Sequence, residues 1–183
     1  MELETELACI ADAAKAFADA GEELVGIVPS EPRAGTRVYV CSYECGDRRA
    51  WLALDSDGCA VRDRGLVRDA VSVAAMCELA EESAGGGKLD ELRSQLVALR
   101  ITENLSGIEE AEEAARELER TVGSAPRVAS LEYLDEVGAA TRRLEEALGD
   151  PGPSPFAEAM KQQVGAIDEL AREVEQNYKG PLE

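Results

Sequence analysis

The chain of 183 residues is 45% hydrophobic, enough apolar material for one sizeable core or two small coupled ones. Thirty-eight acidic against nineteen basic residues give a formal charge of -19, which repels phosphate backbones and anionic lipid and argues against nucleic-acid or membrane-surface partners. No histidine occurs, and that absence excludes Ser-His-Asp and Cys-His catalysis, His-containing zinc sites and carboxylate-His di-iron sites.

The N-terminal "MELETELACIADAAKAF" is acidic and has helical periodicity, without the basic start and continuous apolar run of a signal peptide. No apolar run approaches membrane-spanning length, so the expected location is the cytoplasm, where five thinly spread cysteines suit reduced thiols. Leu3, Leu7, Ile10, Ala14 and Phe17 predict an amphipathic helix over 2–20 that stops at Gly21. "LVGIVP", Leu24 to Pro29, is expected to be extended, and "SEPRAG" a loop, because two prolines and a glycine interrupt regular structure. Residues 36–62 alternate with a period of two around the turn signals "CGD" and "DSDG", which predicts a three-stranded antiparallel meander.

Helical periodicity begins after Asp63, a candidate cap for a largely apolar helix over about 65–83. Leu89, Leu92, Leu96 and Leu99 mark the next helix. Ser106-Gly107-Ile108-Glu109 is a capping box for another, with Ala111, Ala115, Leu118 and Val122 on its stripe. Val128 to Leu148 follows. Ser154 and Pro155 open a last helix with Phe156, Met160, Val164, Ile167, Ala171, Val174 and Tyr178 on its buried face. The expected fold is therefore α+β, mainly α: a helix and small sheet over 1–62, then about five amphipathic helices forming a bundle over 63–183. The two sub-regions should belong to one compact domain.

A turn at Gly46-Asp47 places Cys45 opposite Arg48, Glu44 opposite Arg49, Ser42 opposite Trp51 and Cys41 opposite Leu52. One face then carries Tyr39, Cys41, Tyr43, Leu52 and Leu54, joined by Cys59 and Val61 if Ser56-Asp57 forms the next turn. Val38, Val40, Glu44, Arg49 and Trp51 share the other. Cys41 and Cys45 are then about 13 Å apart, and Cys59 lies about 10 Å from Cys41, too far for a disulfide or a shared ion. The cysteines of this stretch are expected to be small packing residues.

"DSDG" fails as a calcium loop, since Ala60 and Leu66 fall where glycine and glutamate are needed. "SAGGGK" fails as a phosphate loop, because Glu82 replaces its first glycine and Leu89 its Ser or Thr. Carboxylates remain: Glu78, Glu81 and Glu82, then Glu109 with Glu112 and Glu132 with Asp135 at three-residue spacing. The paired E-x-x-E and E-x-x-D spacing resembles that of all-α nucleotide pyrophosphohydrolases of the MazG type. The resemblance implies magnesium around a triphosphate, with Glu78, Glu81 and Glu82 the candidates on the most apolar helix.

Trp51 shares its face with Val38 and Val40, so both faces of the small sheet need cover, from the chain itself or from a second molecule. The partner-binding candidates are Trp51, Val38, Val40 and Arg49. The leading expectation is a non-enzymatic interaction or regulatory protein, with a protein partner or a homodimer, no cofactor, no nucleic acid and no membrane. A helix, an antiparallel sheet and strong acidity are also similar to secretion-chaperone-like folds, an analogy of fold alone. The alternatives are a magnesium-dependent enzyme acting on a phosphorylated small molecule or nucleotide, and a nucleic-acid mimic.

Overall fold

A computed structural model describes residues 2–85, 108–124, 126–148 and 155–183. Its elements are α1 (Glu2–Ala16), β1 (Glu23–Arg33), β2 (Thr36–Cys45), β3 (Arg48–Leu54), α2 (Arg64–Gly85), α3 (Ile108–Gly123), β4 (Ala129–Ser130), α4 (Leu131–Leu148) and α5 (Pro155–Gln176). The class is α+β, with five helices among the described residues and a mixed four-stranded sheet in the order β3-β2-β1-β4. The helix expected around Leu89 to Leu99, the caps at Ser106 and Ser154 and residues 86–88 of "SAGGGK" lie outside the described residues, while Ser83 to Gly85 form the end of α2.

The β2–β3 hairpin has the expected register, from Cys45↔Arg48 through Glu44↔Arg49, Ser42↔Trp51 and Cys41↔Leu52. Gly46 makes it possible: its φ of 60° is the left-handed geometry that a two-residue turn with glycine first requires. Alternation then sorts the side chains. Tyr39, Cys41, Tyr43, Leu52 and Leu54 pack with Ile10 and Ala14 of α1 on one face. Val38, Trp51 and Ala53 pack on the other with Val61, with Val67, Ala70 and Val71 of α2, and with Val174 of α5.

The sheet itself corrects the three-stranded antiparallel meander. Its third strand is β1, which runs on through "SEPR" and pairs antiparallel with β2. Prolines are tolerated there because Pro32 falls in the irregularity between Ser30 and Arg33, while Pro29 precedes Ser30 and Glu31, the only residues of β1 that pair with β4. β4 runs parallel to β1. A two-residue strand has no alternation to read, which is why Val128 to Leu131 looked helical.

The segment after β3 contributes only a bridge, Leu54↔Ala60, with hydrogen bonds from Asp55 N to Cys59 O at 2.9 Å and from Val61 N to Ala53 O at 2.8 Å. Asp55 Oδ1 also accepts from the N–H groups of Asp57 (3.0 Å) and Cys59 (2.9 Å). This loop is one residue longer than a Ser56-Asp57 turn, and one residue reverses the faces. Val61 therefore joins the Trp51 side, Ala60 packs on the α1 side, and Cys59 is exposed.

Three stripe residues are also corrected. Phe17 lies beyond α1 and is 40% exposed, Val164 is half exposed, and Tyr178 follows the end of α5. Asp63 does cap α2, accepting from Leu66 N through Oδ1 at 3.0 Å. The side chains of Phe156 and Met160 are outside the described residues.

By contacts the chain divides into two units. The first, residues 1–75, 127–131 and 165–183, holds the sheet between α1 on one side and the start of α2 and the end of α5 on the other. Ser30 Oγ pins β1 to α2, donating to Ala70 O at 2.9 Å inside this layer. The second unit, residues 76–126 and 132–164, buries alanine and leucine stripes: Ala111, Ala115 and Leu118 of α3, and Leu134, Val137 and Leu144 of α4.

Two glycines give a stability test. Gly46 and Gly58 both have left-handed φ, but a Cβ at Gly46 would meet nothing within 4 Å, whereas one at Gly58 would lie 3.0 Å from the Ala13 Cβ of α1. Gly46→Ala should cost about 1 kcal/mol and Gly58→Ala about 2–3 kcal/mol by urea unfolding. Equal losses would contradict the seating of the Asp55–Gly58 loop against α1.

Candidate functional site

A polar site forms where α5 ends. Asn177 N and Nδ2 both donate to Glu173 O, at 3.0 and 3.2 Å, and Gly180-Pro181 prevents the helix from continuing. Residues 177–179 then pair with the outer edge of β3 at Trp51, and residue 183 pairs with residues 62 and 64. Trp51 N donates to Asn177 O at 3.1 Å and Lys179 N to Trp51 O at 2.8 Å, a parallel bridge centred on Tyr178. The Tyr178 hydroxyl donates to Val61 O at 2.5 Å and accepts from Ala53 N at 3.2 Å. At the far end Glu183 N donates to Arg62 O and Arg64 N to Glu183 O, at 2.7 and 3.2 Å. The segment therefore covers a strand edge that would otherwise carry unpaired N–H and C=O groups.

Lys179 locks this segment to the turn between α1 and β1. Its side chain is only 8% exposed, and Nζ donates to Asp19 Oδ2 at 2.7 Å and to Glu22 Oε2. The same ammonium lies 5.1 Å from the centre of the Tyr43 ring, a cation–π distance. Glu22 Oε2 also accepts from Asp19 N at 2.9 Å, so the acceptor is held before the lysine arrives. Burial works against the charge on Lys179, yet the hydrogen bonds to Asp19 and Glu22 more than offset it and raise its pKa. The Lys179 hydrogen bond, helped by the Asp19 N–H, lowers that of Glu22.

Beside the lock is an open cleft of about 910 Å³. Asp19, Glu22, Glu44, Asp47 and Glu173 line it against Arg48, Arg49 and Lys179, five acids to three bases, with Asn177 and Tyr178 between. Arg49 is already held by Glu44 at 3.0 Å, as Lys179 is by its two carboxylates. Asp47, Glu173 and Arg48 have no ion pair among the described residues. The uncommitted charge and the two-to-one clasp on Lys179 leave the cleft net negative.

Of the residues singled out from sequence, Arg49 lines the cleft and Val40 is half-buried. Val38 and Trp51 are 1% and 6% exposed, covered by α2, α5 and residues 178 and 182 of the same chain, so they offer no open surface. Glu78 and Glu81 point to solvent on the polar side of α2, because its buried positions are Val67, Ala70, Val71, Val73, Cys77 and Ala80. The side chain of Glu82 is outside the described residues. No group of three or more His, Cys, Asp or Glu side chains that could hold a metal forms among the described residues. Cys41 is buried, and burial pushes its thiol up to about 12, far from a reactive thiolate.

Sequence reasoning missed Lys179, Asp19 and Glu22, whose partners lie 157 to 160 positions apart. Only "NYKGP", an aromatic and a lysine placed just before a helix breaker, hinted at a docked segment.

The lock has a pH signature. Glu22 has a lowered pKa in the fold, so its contribution is present above the ordinary carboxylate value of 4.5 and is lost as pH falls through the lowered value. Lys179, with a raised pKa, contributes fully below 10.5 and loses this only as pH rises through the raised value. Lys179→Met should therefore destabilise the chain by about 1–3 kcal/mol at neutral pH. That difference should shrink as both proteins are taken well below pH 4.5; a pH-independent difference would mean that packing, not the ion pair, holds the segment. No protein-family model matches the chain, and no curated protein or solved structure matches it at a significant level.

Proposed function

We propose that the protein is a non-enzymatic interaction module that docks a lysine- or arginine-rich segment of a protein partner in the cleft between the β2–β3 hairpin, the α1–β1 turn and the end of α5. The observation that carries this reading is the charge of the cleft. Five carboxylates face three bases; Arg49 is paired with Glu44 and Lys179 with Asp19 and Glu22, which leaves Asp47 and Glu173 against Arg48 alone and the cleft net negative. The carbonyl end of the α5 dipole adds negative potential beside Glu173. The chain's overall charge of -19 steers basic partners toward it and repels nucleic acid.

The same reading includes a cytoplasmic location, supported by five free cysteines and by the absence, among the described residues, of any helix long and apolar enough to cross a membrane. It also includes a helical bundle in the second unit. The Arg143 to Glu117 ion pair between α4 and α3 and the buried stripes of both helices support that packing.

Calorimetric titration with octalysine at low salt tests the docking site. Binding should be exothermic or endothermic but measurable, weaken steeply with added salt, and fall about threefold to tenfold in Asp47→Asn/Glu173→Gln. An unchanged affinity in that variant would remove the cleft as the site. Parallel titrations with Mg²⁺, Mn²⁺ and nucleoside triphosphates should give no heat; binding there would favour the carboxylate enzyme instead.

A further inference from the structure

Asp19 and Glu22 have two roles at once: they line the cleft, and they hold an ammonium. Two carboxylates, one buried aromatic face and a backbone N–H that fixes one of the carboxylates are the parts of a site for an alkylammonium ion. Tyr43 is fully buried and anchored by its hydroxyl, which donates to Ala14 O at 2.7 Å, so the ring stays in place whichever ammonium lies over it. Lys179 reaches the site from a segment bonded to the β3 edge next to it.

We propose that Asp19, Glu22 and the Tyr43 ring form an ammonium-binding cage which Lys179 fills in cis, and that a lysine of the docked partner segment contends with Lys179 for it. This rests on the reading of the cleft as a docking site for a basic segment. Asp19 is the point of entry, because its side chain is 81% exposed while that of Glu22 is 16% exposed. An intramolecular lysine acts at an effective concentration on the order of millimolar, so it lowers the apparent affinity of any competitor by the fraction of time it is bound. Reciprocally, a partner lysine that takes the carboxylates frees Lys179, and with it the bond from Lys179 N to Trp51 O. Residues 177–183 become a strap that loosens when the cleft is occupied.

The test is a gain of binding. Lys179→Met should bind octalysine about tenfold or more tightly than the unmodified chain, and adding Glu22→Gln should remove that gain. Lys161→Met, which deletes the same charge from α5, should raise affinity by no more than about twofold. Far-UV circular dichroism checks that each variant is folded. Equal or weaker binding by folded Lys179→Met would overturn the cage while leaving the cleft reading intact, whereas no binding by any variant would overturn both. If Lys179→Met does not fold, the unmodified chain decides: saturating octalysine should speed amide exchange at Trp51 and Lys179 by about tenfold, and unchanged rates would overturn the proposal.

Discussion

One ammonium group joins three parts of the chain that are far apart in sequence. Lys179 sits on the segment after the last helix, takes its carboxylates from the turn after the first helix, and lies over Tyr43 of β2. A cation only 8% exposed is tolerable solely because two carboxylates and an aromatic face replace its water. With Lys179 seated, the backbone of residues 177–179 pairs with Trp51, the Tyr178 hydroxyl bridges Ala53 and Val61, and the outer edge of the sheet is closed. The cleft exists because the helix stops and turns there.

That arrangement answers what covers Trp51. Its side chain packs in one cluster with Val67, Ala70 and Val71 of α2 and Val174 of α5, and its backbone is bonded to the segment that carries Lys179. The lone tryptophan is therefore part of the internal layer, and the accessible chemistry lies just beyond it, at the hairpin tip. There the Glu44–Arg49 pair and the uncommitted Asp47 and Arg48 face the end of α5 across open solvent.

How much of this could be read from the residues follows from range. The β2–β3 register was legible because a two-residue turn and strict alternation are local, and the five described helices were legible because their stripes repeat every few residues. The strand through "SEPR" was not, since proline argues against a strand until one sees that its neighbour ends there. One extra loop residue was enough to exchange the faces of Val61 and Ala60. The candidate site was the least legible part: Lys179 finds its partners across nearly the whole chain, and Glu78 and Glu81, chosen for an apolar helix, turned out to occupy its polar side.

The central claim is that Lys179 is held as an ion over an aromatic ring, and side-chain NMR addresses it directly. At neutral pH the Lys179 ammonium should give a resolved, slowly exchanging ¹H–¹⁵N signal, with Cε protons shifted upfield and nuclear Overhauser contacts to the Tyr43 ring. Cε protons at the position shared by Lys15 and Lys161, with no contact to Tyr43, would contradict the account.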